Sequence, residues 1–125
     1  MSTLLQSAKQ VGFVGVTDLE AAHRFYGEAL GLVLEDARPF ALVHETAESR
    51  LRITLVEEVN AAPYTVLGWA VENLDREVDR LSAAGVIFNR YDGMDQDDRG
   101  IWTSPSGARI AWFHDPDGNN LSLQG

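Results

Sequence analysis

Residues 16 to 32 read VTDLEAAHRFYGEALGL, and residues 71 to 86 read VENLDREVDRLSAAGV. Both run from valine through a polar residue to Asp or Asn, then to leucine and an acid. A helical stretch follows and ends at glycine before an apolar residue. Val16, Asp18 and Leu19 match Val71, Asn73 and Leu74 at an offset of 55, whereas Gly31 matches Gly85 at 54. A period this long in a chain of 125 residues implies two copies of one unit. Any fold proposed for the chain has to be built twice.

Each copy reads as a strand, a helix and three further strands. In the first, VGFVGV is a β-rich run that leads to a helix start, with Thr17 and Glu20 as a candidate capping box or Asp18 as a cap by itself. Leu19, Ala22, Phe25, Tyr26, Ala29 and Leu30 recur at helical spacing, and Gly31 stops the helix. Strands are expected at about 32–36, 40–45 and 50–58, the clearest being the strict alternation Leu51-Arg52-Ile53-Thr54-Leu55. In the second copy TVLGWAV is the strand, Asn73 caps a helix with Leu74, Val78 and Leu81 inward, and Gly85 ends it. Strands near 86–91, 108–115 and 120–124 complete it, and DGMDQDDRG reads as a polar loop. The expected class is α+β with two tandem βαβββ modules, about 8–60 and 63–125, in a single domain spanning 1–125.

Composition narrows the function classes. There is no cysteine, which excludes disulfides and thiolate chemistry. The net charge is −9 with no basic stripe to offset it, so nucleic acid is not an expected partner. No stretch approaches the roughly 20 apolar residues of a membrane span, and the start, MSTLLQSAKQ, does not read as a signal peptide. A cytoplasmic protein with no membrane partner is the expectation.

VTDLEAAHRFYGEALGL, the closing WFHDPDGNNLSL and the duplicated layout together resemble the vicinal oxygen chelate superfamily, the group of glyoxalases, bleomycin-resistance proteins and extradiol dioxygenases. The resemblance covers nearly the whole chain and implies curved, cup-like mixed sheets with the helices outside. In the glyoxalase-like enzymes four strand positions aim His, Gln or Glu into the cup to hold a divalent metal. Here those positions fall on Val11, Thr54, Val66 and Ser122. Two valines cannot ligate, and neutral hydroxyls are poor ligands without imidazole or carboxylate company. Gln10 lies one step from Val11, and one step along a strand turns it to the other face. The resemblance therefore implies the fold without its usual metal site, and no cofactor is expected.

Other groups could carry chemistry. His44, at a strand end, and His114, before the terminal turn, could each enter a cup as donor or general base, while His23 belongs on a solvated helix face. Asp115, Asp117 and Asn119 mimic the opening of a calcium loop, but the sixth position is Asn120 where an EF-hand needs glycine, so DPDGN reads as a turn. Asp92, Asp95, Asp97 and Asp98 read as solvated, in a loop that Gly93 and Gly100 could let move as a lid. Trp69 reads as core. Trp102, Tyr91 and one of Trp112 or Phe113 remain as candidate ligand walls, the choice resting on the parity of the terminal turn. Arg52 shares a strand face with Thr54, either as a cup anchor or as a rim arginine paired with a glutamate.

A cup lined by Val11, Phe13, Val66 and these aromatics, with Arg52, Thr54 and Ser122 as polar anchors, suits a small organic ligand better than a metal. The expected function is a metal-independent binding protein of the bleomycin-resistance type, sequestering an aromatic or cationic compound that the net negative charge would attract. The rival is a lyase, isomerase or dioxygenase of the same superfamily. A homodimer is expected as well, since an open sheet must be covered.

Overall fold

The computed structural model describes residues 5–125 and divides into two compact units, Met1–Val59 and Asn60–Gly125. The first carries strands β1 (Gln10–Val16), β2 (Glu35–Ala37), β3 (Ala41–Glu45) and β4 (Ser49–Leu55) in the order β1-β4-β3-β2. β1 and β4 are parallel and the other neighbours antiparallel, so the sheet is mixed. The second repeats this plan with β5 (Leu67–Ala70), β6 (Trp102–Thr103), β7 (Arg109–His114) and β8 (Asn120–Gln124) in the order β5-β8-β7-β6, where β5 and β8 are the parallel pair. The α+β class and the duplicated module follow as expected. The strand expected near 86–91 does not form: that segment makes a single bridge, Phe88 to Phe113, and Trp102–Thr103 takes the edge instead.

Alternation along the strands gives each sheet one buried and one open face. In the first unit Val14, Val16, Leu42, Leu51 and Ile53 are buried together with Leu19, Ala22, Tyr26 and Leu30 of the helix. In the second, helix α2 (Leu74–Ala83) packs over β8 with Leu74, Val78 and Leu81 inward, against a sheet that buries Ala111, Phe113, Leu121 and Leu123. Asp18 is the cap of the first helix: its Oδ1 accepts from the backbone N–H of Glu20 (2.9 Å) and Ala21 (3.1 Å). Asn73 serves α2 in the same way, accepting from the Arg76 N–H at 3.1 Å.

The slip of the repeat from 55 to 54 has a structural cause. Helix α1 (Leu19–Ala22) runs on as a π-helix over His23–Ala29, where the Leu30 N–H reaches back to the Phe25 carbonyl at 2.9 Å. The bond that closes the first helix runs from the Leu32 N–H to the Tyr26 carbonyl, whereas its counterpart after α2 runs from Val86 to Leu81 and encloses one residue fewer. Gly31 and Gly85 both end their helices at positive φ, 82° and 98°. The first helix holds one extra residue between Tyr26 and Gly31, and wide turns absorb it.

Candidate functional site

The open face of the second sheet collects the aromatic side chains. The terminal hairpin pairs Phe113 with Leu121, Trp112 with Ser122 and His114 with Asn120. Trp112 therefore shares a face with Ser122, and Phe113 points into the core. Phe113 is fully buried, with its ring 5.4 Å from that of Phe88, which removes it from the candidate ligand wall and leaves Trp112. Tyr91 stands edge to face with Trp112, ring centroids 5.7 Å apart at 84°, and Trp102 lies 6.0 Å away on a tilted plane. Tyr91, Trp112 and Tyr64 wall a pocket of about 350 Å³, joined by Met94 and Pro63. Thr65 and Asn120 supply its polar edge, and none of its lining side chains is charged.

The hairpin turn holds this face in register. Both oxygens of buried Asp115 are engaged: Oδ1 accepts from the N–H of Asp117 and of Asn119, each at 2.9 Å, and Oδ2 accepts from the Asn119 amide at 2.8 Å. The turn is thus an Asx turn with its carboxylate already satisfied, as its composition implied. On the open side Asn120 Nδ2 donates to the Ala62 carbonyl, so its Oδ1 is left to face His114 Nε2 at 2.6 Å. The Asn89 amide stands 3.2 Å from the same nitrogen.

Ser122 occupies the middle of β8 on the Trp112 face and is 7% exposed. Its hydroxyl makes no hydrogen bond with another described residue. Its parallel neighbour is Gly68, where a Cβ would stand 2.6 Å from the Ser122 oxygen, so only glycine leaves the hydroxyl its place. Val66, 43% exposed, immediately precedes β5 and gives its N–H to the Asn120 carbonyl at 2.9 Å.

The remaining candidates belong to the first unit. Val11 and Phe13 lie on the open face of β1, with Phe13 paired to Arg52 and Gly15 to Thr54. Phe13 is 68% exposed. The glutamate partner expected of a rim arginine belongs to Arg50, which pairs with Glu45; Arg52 forms no ion pair with any described residue. Arg50 in turn holds the Glu45 carboxyl below the usual carboxylate range by hydrogen bonding to it. His44 does not enter this face. It pairs with buried Leu51, on the side opposite Arg52 and Thr54, and its Nδ1 lies 3.0 Å from the Val33 carbonyl.

The donor set does not suit a metal. Among the described residues no group of three or more His, Asp or Glu side chains is placed to hold one. The four positions at which the resemblance implies ligands carry Val11, Thr54, Val66 and Ser122. The family model for the glyoxalase/bleomycin resistance protein/dioxygenase superfamily matches residues 8–123. The chain belongs to that superfamily. No curated protein matches it. Among solved structures, a superfamily member from Sphaerobacter thermophilus superposes with a TM-score of 0.72 at 22% identity, covering 97% of this chain and 98% of that one. A lactoylglutathione lyase from Agrobacterium tumefaciens gives 0.72 at 18%, covering 94% and 92%. A glyoxalase/bleomycin resistance protein from Catenulispora acidiphila gives 0.71 at 23%, covering 94% and 97%. Likeness at these identities establishes the fold of this glyoxalase-superfamily chain, and its chemistry has to come from its own residues.

Sequence reasoning missed Pro63, Tyr64, Thr65, Met94 and Asn120 as pocket residues. Met94 sits in a run of aspartates that reads as solvent-facing. Tyr64 precedes the strand that carried the pattern. Asn120 could have been found, because it alternates with Leu121 and so must share the Ser122 face. No helix is long and apolar enough to cross a membrane among the described residues.

Proposed function

We propose that this glyoxalase-superfamily protein is a metal-independent binder of a small, planar organic compound, held in the second unit's pocket. The observation that carries the reading is the wall of Tyr91 and Trp112 around about 350 Å³ with no charged lining, a size and composition typical of small-molecule sites. Ser122, which shares the strand face of Trp112 next to the lining residues, is the proposed polar anchor, and Trp102, its ring 6.0 Å from that of Trp112, is the proposed second aromatic. A cationic ring over these faces would gain about 0.5–2 kcal/mol, in the same direction as the net charge of −9. Val66, immediately before β5, is a further proposed contact, and the cytoplasm is the proposed compartment.

Titration with N-methylacridinium and related planar cations tests this by tryptophan quenching. Saturable quenching that weakens in Trp112→Phe and in Ser122→Leu supports the reading, and its absence across the series refutes it. Elemental analysis of protein purified without chelator is the second arm: about one nickel, zinc, iron or manganese per chain, lost together with activity, would assign lyase, isomerase or dioxygenase chemistry instead. A homodimer is the proposed assembly, a second copy covering the exposed Val11 and Phe13. Light scattering at the 13.8 kDa of one chain across micromolar concentrations would refute it.

A further inference from the structure

The segment between Asn89 and Ile101 reads in sequence as a run of solvated acids, yet it is laced to the pocket through one side chain. Gln96 Oε1 accepts from the Tyr91 N–H at 2.8 Å, and its Nε2 donates to the carbonyls of Asn89 and Gly100, each at 2.9 Å. Its backbone forms a bridge with Trp102. Tyr91 and Trp102 are the two aromatics that flank Trp112. One residue therefore ties both flanks of the indole to the same loop, Tyr91 through its amide and Trp102 through its backbone. Around it, Asp97 Oδ1 accepts from the N–H of Arg99 and of Ile101 at 2.9 Å, and Arg99 clasps Asp79 of α2 through two bonds of 2.8 and 3.0 Å.

We propose that Gln96 is a positioning residue that fixes the aromatic wall of the pocket, with the 89–101 segment acting as a built wall in place of a lid. Every polar atom of the Gln96 amide is committed to backbone groups that are themselves fixed. The Gln96 bond to the Tyr91 N–H pins the main chain from which the Tyr91 ring projects, so a shift of the segment that carries Tyr91 off Trp112 has to break it. Pocket geometry in the free protein is set in advance of ligand, so little ordering has to be done on binding. The inference rests on the pocket being the binding site only for its last consequence, affinity. The structural part stands on the unliganded protein.

The test uses Gln96→Ala and Gln96→Glu in the full chain, read by amide exchange and near-ultraviolet circular dichroism without ligand, then by N-methylacridinium titration. Gln96→Ala should lower the protection of the Tyr91 N–H about tenfold while the amides of Leu121 and Leu123 keep theirs. Gln96→Glu should do the same at pH 7, because a carboxylate cannot donate to the Asn89 and Gly100 carbonyls and is driven off them, and should recover in part near pH 4, where the regained proton can serve one of the two carbonyls. Aromatic ellipticity should follow, and probe affinity should fall in step. Unchanged Tyr91 protection in the folded variants would overturn the proposal. So would an equal loss at Leu121 and Leu123, or unchanged probe affinity once Tyr91 protection is lost. A wild-type protein that binds no probe counts against the binding function alone, and the exchange data still decide the role of Gln96.

Discussion

Gly68→Ala is the sharpest single test of how the open face of the second sheet is built. A methyl group there would stand 2.6 Å from the Ser122 hydroxyl oxygen and 3.2 Å from the Ser122 carbonyl oxygen. Carbon and oxygen across neighbouring strands ordinarily stay about 3.3 Å apart or more, so the hydroxyl overlaps severely and the carbonyl by little. Ser122 is 93% buried between Gly68 and Trp112 and has little room to turn. Forcing the methyl in should cost about 1–3 kcal/mol, as overpacking does in other cores. In a Ser122→Ala background the hydroxyl is gone, only the 3.2 Å contact remains, and the cost should fall below about 1 kcal/mol, because alanine is otherwise favoured over glycine within a strand. The two substitutions should thus couple by about 1 kcal/mol or more. Urea unfolding followed by tryptophan emission is the assay, since Trp69, Trp102 and Trp112 all report on the second unit. If Gly68→Ala costs the same in both backgrounds with unchanged m-values, the close approach of Gly68 and Ser122 does not hold this face together.

Three further outcomes are expected. Phe113→Ala should destabilise by about 3–5 kcal/mol in chemical denaturation, being fully buried against Phe88, whereas Trp112→Phe should leave the midpoint nearly unmoved and change only ligand quenching. Deletion of Glu28, inside the wide turns before Gly31, should cost under about 2 kcal/mol in thermal melts, while deletion of Arg80, which swings buried Leu81 off the core, should cost about 2–5 kcal/mol. Arg109 bonded to Asp75 and Arg99 bonded to Asp79 hold both carboxyls below the usual carboxylate range. Their contribution is complete above that range and is lost as pH falls through it and below. Tyr91 and tryptophan ellipticity should therefore hold from pH 7 to about pH 5 and decline below about pH 4, and Asp79→Asn should lose that share of the acid response.

Much of the fold was legible because it rests on local signals. Asp18 and Asn73 are side chains whose oxygens cap a helix wherever the chain allows it. The alternation of Leu51 and Ile53 against Arg52 and Thr54 fixes which way a strand faces without reference to a partner. The candidate site was legible only in part, since facing depends on pairing. Trp112 and Phe113 are adjacent and equally apolar, and only the five-residue turn from Asp115 to Asn119, which pairs His114 with Asn120, sends one to the pocket and the other to the core. Gln96 was invisible for a different reason. Its three partners are backbone groups at positions 89, 91 and 100, and composition records a polar run without recording where its amides point. The segment at 86–91 looked like a strand because it opens with Val86, Ile87 and Phe88, but its N–H and C=O groups find one bridge and no ladder.

The wide turns of the first helix also bear on how the two halves should be compared. A residue inserted into an α-helix would normally rotate everything after it by about 100° and carry the next strand out of register. Here the surplus is confined between Tyr26 and Gly31, and both halves resume with a glycine, an apolar successor (Leu32 or Val86) and the same strand order. Any alignment of one half on the other therefore has to open its gap inside the helix, where gaps are conventionally penalised most. Placing it in the following loop would match Gly31 to Val86 and misassign the end of the helix, although the strands beyond would still fall into step.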